Sequence, residues 1–245
     1  MPEPSGYVVY EGPSKLNGVP ITAIVTNKSQ NVKTGNMHSL WILAAGSSPI
    51  EAARHGLDDS VCGDCGLRHF VMKNTGKTGC YVTLLHGPQS IYRKWKSGGY
   101  PPLPPSVTFK RPLRLGAYGD PAALPVPLIR QMTSIATAGW TGYTHQWRKF
   151  PELQPYCMAS VDSWFQQLEA GKEGWRTFRV IPKNEIKRPL KKLSADGPSS
   201  FTLQAEISCP ASSEAGHRTT CLQCRLCDGM VGPMDQRKNI CIAAH

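Results

Sequence analysis

The sequence predicts an α/β protein in which strands and helices alternate around a mostly parallel sheet, either open or closed into a partial, distorted barrel. Two observations predict it. Short runs rich in Val, Ile and Thr recur along the chain, each bounded by Gly, Pro, Asn or Ser. Between them lie stretches of helix-forming residues with Pro or Ser at their starts, and such alternation favours right-handed crossovers and parallel pairing. A chain of 245 residues can bury a sizeable core without disulfide staples. We expect one α/β domain over 1–245. Its parts are N-terminal strands in 1–57, a first cysteine-rich segment in 58–100, β/α units in 113–208 and a cysteine cluster in 209–245.

Taken in order, GYVVY at 6–10 and PITAIVTN at 20–27 read as two strands joined by a glycine-containing turn. SLWILAA at 39–45 is a continuous apolar run that suits a buried strand. PIEAARH is a short helix with Ser48 placed to cap it. CYVTLL, opened by Cys80, reads as a strand, and 88–96 as a helix. The prolines of 101–105 forbid regular helix or central strand and mark a rigid crossing loop. Beyond it, LRLGAYGD, WTGYTHQWR, CMASVD and WRTFRVIP read as strands. PVPLIRQMTSIAT is a helix with proline in its first turn, and SWFQQLEAG a helix capped by Asp162 or Ser163. NEIKRPLKKLSADGPSS is a polar connector before the last strands, FTLQAEISCP and NICIAAH.

The cysteines carry the strongest chemical signal. Cys221, Cys224 and Cys227 follow a C-x2-C-x2-C step, and Cys209 lies twelve positions upstream of Cys221 with Pro210 after it. Thiolates at this interval on a curling loop can turn toward one centre, as a [4Fe–4S] cluster requires. Tetrahedral zinc is the alternative. A second group, Cys62 and Cys65 at C-x2-C with Cys80 fifteen positions on, supplies three thiolates for a second metal or cluster. Its fourth ligand would be Cys157, Cys241, His69, His86 or a small molecule. Nine cysteines is an odd count, which argues against a complete intrachain disulfide framework. No signal peptide or apolar span of membrane length is visible, so a cytoplasmic protein with metal-ligating thiols is expected, away from any membrane.

The net charge of +11 permits a nucleotide or nucleic-acid partner. Much of it sits in Lys94, Lys96, Lys110, Arg111 and Arg114 and in Lys183, Lys187, Arg188, Lys191 and Lys192. Tyr92, Trp95, Tyr100, Tyr143 and Trp147 are either base-stacking platforms or anchors of core and loops. Polar residues end three successive strands: Asp120, then His145 and Arg148, then Ser160 and Asp162. Functional groups gather at strand carboxyl ends in α/β folds, so Asp120, His145, Arg148 and Asp162 are the candidate acid–base and anion-holding residues. The two aspartates could instead cap the helices that follow. The sequence contains no Walker A loop, G-x-G-x-x-G, H-E-x-x-H, zinc-deaminase pattern or G-x-S-x-G elbow.

CGDC…GCYV, LGAYGDP, GYTHQWR, MASVD and the closing CP…C-x2-C-x2-C…IC resemble a family of phage-borne, cysteine-rich proteins of uncharacterised function, over roughly 58–245. The resemblance implies a cytoplasmic location in an infected host. More distantly, a β/α run with cysteines at its mouth is similar to radical-SAM enzymes. It departs from their usual C-x3-C-x2-C loop, so Cys62, Cys65 and Cys80 would supply the three-cysteine cluster by another spacing. Iron–sulfur-dependent redox, lyase or radical-SAM-like chemistry is what that second likeness implies. A zinc-stapled nucleic-acid-binding or phage interaction protein is the non-catalytic alternative.

Overall fold

The computed structural model describes residues 3–29, 31–73, 79–181, 206–216, 218–232 and 235–243. Strand β1 (Gly6–Pro13) pairs antiparallel with β2 (Pro20–Thr26), and β2 with β3 (His38–Ala44). Six of the seven β2 residues are buried, which explains its β-branched, unalternating composition. Strands β4 (Leu113–Tyr118) and β5 (Trp140–Thr141) add parallel to β3, giving a mixed sheet of order β1-β2-β3-β4-β5.

The second sheet is parallel throughout. It contains β6 (Tyr143–Thr144), β7 (Met158–Val161), β8 (Thr177–Ile181), β9 (Glu206–Ser208) and β10 (Asn239–Ala243), in the order β6-β7-β8-β10-β9. Mostly parallel α/β architecture is therefore as expected, whereas the described strands form two open sheets and no closed barrel.

The sheets meet at Gly142, which separates β5 from β6. WTGYTHQWR is thus two short pieces and a turn rather than one strand. The reason is a long-range contact: Gly142 donates its N–H to the Cys227 carbonyl at 2.7 Å instead of to a neighbouring strand. A side chain there would meet Tyr156 O at 2.9 Å and Cys157 Sγ at 3.0 Å, so only glycine lets the segment sit this close.

Helices α1 (Pro49–His55), α2 (Asp59–Cys62), α3 (His69–Lys73) and α4 (Gly87–Lys96) follow β3. Ser48 caps α1 as expected, in a reciprocal capping box with Glu51. Cys80 to Leu85 is not a strand but bends and turns. Its apolar alternation has the right period, but no described strand pairs with it. Its start is instead held by Cys80 N–H donating to Leu67 O at 2.7 Å. Helix α5 (Val126–Ile135) follows β4, and α6 (Trp164–Lys172) follows β7. The polar connector and the lysine and arginine cluster of 183–192 lie outside the described residues.

Leu113 and Leu115 of the first sheet and Ala159 and Val161 on one face of the second belong with Ile129 of α5 and Ala170 of α6 to the larger core. Each such fully buried aliphatic side chain contributes about 1.5–3 kcal/mol. The opposite face carries Met158, Phe178, Ile240 and Ile242, which form a smaller core with Cys209 and Cys227. Helices α5 and α6 thus cover one side, with Cys62 packed against the same core, and the C-terminal cysteine loop gathers on the other. Among the described residues no helix is long and apolar enough to cross a membrane.

Candidate functional site

All nine cysteines are free thiols. Cys209, Cys221, Cys224 and Cys227 line one small cavity with Tyr143 and Ile240. Several backbone contacts bring them there. Cys209 N–H donates to the Cys241 carbonyl at 2.7 Å, and Cys221 N–H to the Lys33 carbonyl at 3.0 Å. The one-turn helix α7 (Cys221–Cys224) ends at Arg225, whose left-handed φ of 52° turns Cys227 back; Arg225 is held by donating to the Ala138 carbonyl at 2.8 Å.

Arg176, fully buried, secures the rest of the loop. It donates to Leu226 O at 2.7 Å, Lys238 O at 3.1 Å and Gly229 O at 3.2 Å. Arg237 adds bonds to Asp228, Asp235 and Gly229 O. Burial pushes the Cys227 thiol up to about 12, against the opposing pull of the Tyr143 hydroxyl beside it. Burial also raises Cys209 and Cys221. The metal-free chain therefore holds these sulfurs as neutral thiols, and any metal bound there must displace their protons.

Cys62, Cys65 and Cys80 form the second group: burial above all raises the Cys62 and Cys80 thiols, with Cys65 adding to both and Cys80 to Cys62. Arg68 shapes the loop that bears two of them. It reaches Asp58 at 2.6 Å, the Gly56 carbonyl at 2.7 Å and the Gly63 carbonyl at 2.9 Å. None of Cys157, Cys241, His69 and His86 is among the groups that influence these thiols. The side chain that meets Cys65 is His145. Cys157 is fully buried against Gly142, and Cys241 sits in the interior strand β10.

The strand-end residues come together beside Cys65. Asp120 follows Gly119, whose φ of +83° and 2.8 Å approach to Ile42 Cβ exclude a side chain. Asp120 Oδ1 accepts from Ala122 N–H at 2.9 Å and from the Thr144 hydroxyl at 2.8 Å, while Oδ2 accepts from His145 N–H at 2.8 Å. It caps the turn Pro121–Ala123 and fixes the end of β6, so its lone pairs are engaged. Asp162, by contrast, caps nothing with its carboxylate. Ser163 caps α6, and Asp162 Oδ1 lies 3.6 Å from His145 Nε2. Ser160 Oγ is 3.2 Å from the same nitrogen. Burial lowers the His145 pKa, but the Asp162 carboxylate and the Cys65 sulfur more than offset this and hold it well above the ordinary value.

His145, Ser160 and Asp162, but not Asp120, line a pocket of about 300 Å³ with Asp64, Cys65, Arg148 and Lys149. Arg148 is not a free anion receptor: it pairs with Glu169 of α6 and lies over the Trp147 ring at 4.0 Å. Sequence reasoning missed Arg68, Arg176 and Lys149. Arginine inside an apolar strand-start such as WRTFRV was the available signal for Arg176. Of the candidate base-stacking aromatics, Tyr100 and Trp147 are core residues, 7 % and 1 % exposed.

Among the described residues, no three His, Cys, Asp or Glu side chains form a ready-made site for a single metal ion. The cavity lined by Cys209, Cys221, Cys224 and Cys227 is only about 10 Å³. Compared with known proteins, this chain matches no protein-family model, no curated protein and no solved structure.

Proposed function

We propose that this chain is an iron–sulfur protein. A [4Fe–4S] cluster is held by Cys209, Cys221, Cys224 and Cys227, and a second, with an open coordination position, by Cys62, Cys65 and Cys80. The protein acts on or binds a nucleotide or nucleic acid. The observation that carries the reading is the sorting of seven cysteines, from distant parts of the chain, into one group of four and one of three. The donor set fits. A zinc ion draws four sulfurs to about 2.3 Å from one centre. A cubane bonds each of four thiolates through a different iron, and the C-x2-C-x2-C step with Cys209 supplies four.

A cluster with an open iron supplies Lewis-acid or one-electron chemistry. The chain's own residues do the rest. His145 Nε2 holds a proton between Asp162 and Ser160 and is the proton donor for a ligand in the adjoining pocket. Asp120 positions His145 through its backbone and does not exchange protons itself. Arg148 and Lys149 at the pocket are already paired, with Glu169 and with Asp64 at 2.6 Å.

The test is anaerobic purification followed by iron, sulfide and visible-absorbance analysis. Brown protein with iron and sulfide is expected, with Cys224→Ser and Cys65→Ser each removing one group's share. Colourless protein carrying stoichiometric zinc would replace this reading with the second one, a zinc-stapled nucleic-acid-binding or phage interaction protein. What favours that alternative is the extent to which the cysteine loops are pinned by Arg68, Arg176 and Arg237, as structural staples are.

A further inference from the structure

Between the two cysteine groups lies a cavity of about 210 Å³. Its wall is the sheet face opposite the helices: Phe178 and Val180 from β8, Ile242 from β10 and Tyr143 from β6. These residues share that face because Ile240 and Ile242 stand in register with Phe178 and Val180 on neighbouring strands. The Tyr143 and Phe178 rings are 4.4 Å apart at 52°, leaving aromatic surface toward the space. Cys221 borders one end; Gly79 and Tyr81, either side of Cys80, border the other.

The charged side chains on the lining are Lys33 and Arg114, both cationic, and no described lining residue is acidic. Arg114 donates to the Tyr81 hydroxyl at 2.9 Å, which leaves most of its guanidinium donors for other partners. Arg114, Tyr81 and Asn31 also line a larger cleft of about 840 Å³, which contains Lys28 and Trp41. The small cavity therefore opens onto the cleft at Arg114. At 210 Å³ it falls below the roughly 300–1,000 Å³ of sites that enclose a whole drug-sized ligand. It has room for one ring system, and the remainder of a ligand must pass Arg114 into the cleft.

We propose that this cavity binds the base of a nucleotide, with the ring against Phe178 and Tyr143 and the phosphate at Arg114 and Lys33. Aromatic stacking accepts any base, and the two cations of the lining, Arg114 at the mouth and Lys33 within, select the anion. The proposal names the ligand subsite of the function given above and rests on its nucleotide part, not on its metal.

Anaerobically purified full-length protein should be titrated calorimetrically with the four ribonucleoside monophosphates, and with adenosine and inorganic phosphate as separate halves. Binding of the monophosphates is expected. Phe178→Ala should weaken it roughly tenfold or more, and Phe178→Tyr should restore it. Val180→Trp, which fills the cavity, should abolish it. Arg114→Gln should weaken the monophosphates and leave adenosine unchanged. On the unaltered protein, 5-iodouridine monophosphate should photo-crosslink to peptides containing Tyr143 or Phe178. Crosslinks elsewhere, or full affinity in Val180→Trp, overturn the site while leaving a nucleotide-binding protein. No binding by protein that contains iron and sulfide overturns the nucleotide reading and leaves the cluster standing. Cavity-dependent binding by protein without iron or sulfide supports the site and removes the cluster.

Discussion

Around Cys209, Cys221, Cys224 and Cys227 the chain is closed. Two of the four sulfurs belong to buried residues, the loop is tied by Arg176 and Arg237, and its hydrogen-bond partners are chiefly backbone carbonyls. Around Cys62, Cys65 and Cys80 it is open. All three are partly exposed, a fourth cysteine is missing, and an imidazole between two oxygen-bearing side chains stands beside Cys65. Similar spacing in sequence has thus produced two different environments. The difference teaches that ligand count alone does not assign a role; the neighbours do. A saturated, sealed group stores charge or holds the fold, and an unsaturated one beside a proton donor is placed for chemistry.

The largest test of this contrast is a pair of arginine substitutions. Arg176→Met leaves the Leu226 and Lys238 carbonyls without this donor and should cost about 3–5 kcal/mol in chemical denaturation. It should strip metal from the four-cysteine group and spare the other. Arg68→Met leaves the carboxylate of Asp58, 4 % exposed, without its charged partner and should cost about 2–3 kcal/mol, with the opposite pattern of metal loss. If either substitution empties both groups equally, the two environments are one cooperative unit.

Alkylation of the reduced, metal-free protein, mapped by mass spectrometry, gives a smaller signal. Cys62, Cys65, Cys80, Cys221 and Cys224 should label first, and Cys157, Cys209, Cys227 and Cys241 should be protected. Equal labelling of Cys209 and Cys221 would show the closed group to be loose.

The smallest effect is acid-dependent. Arg237 beside it holds the Asp235 carboxyl well below the usual carboxylate range. A depressed folded pKa stabilises above the unfolded value of about 3.9, and that contribution is lost as the pH falls below it. Hydrogen exchange should show the 226–232 loop losing protection progressively as the pH falls below about 4, ahead of the 56–68 loop. The reverse order would assign the weaker anchorage to the Arg68 side.

Much of the fold was legible because it rests on local chemistry. Val and Ile runs gave β2, β3, β7 and β8, and Ser48 and Ser163 announced their helices. Cys80–Leu85 was misread because apolar alternation reports a half-buried extended segment, not whether a partner strand exists. The break at Gly142 depends on the carbonyl of Cys227, eighty-five positions away, which no local pattern encodes. The gathering of Asp120, His145 and Asp162 was readable from strand ends. Their division of labour was not, because it depends on which oxygens the backbone has already claimed.

The Gly142 joint has a consequence for communication through the molecule. Residue 142 is bonded to the closed sulfur loop, 143 forms part of the chamber wall, and 145 touches the open sulfur loop. At about 3.3 Å per residue, the run from first to last covers only about 10 Å. It is a tether with a cysteine group at each end and the 210 Å³ cavity against its middle. On the proposed function, a base entering that cavity would press on both ends at once, and its arrival should be readable in the spectra of either cluster.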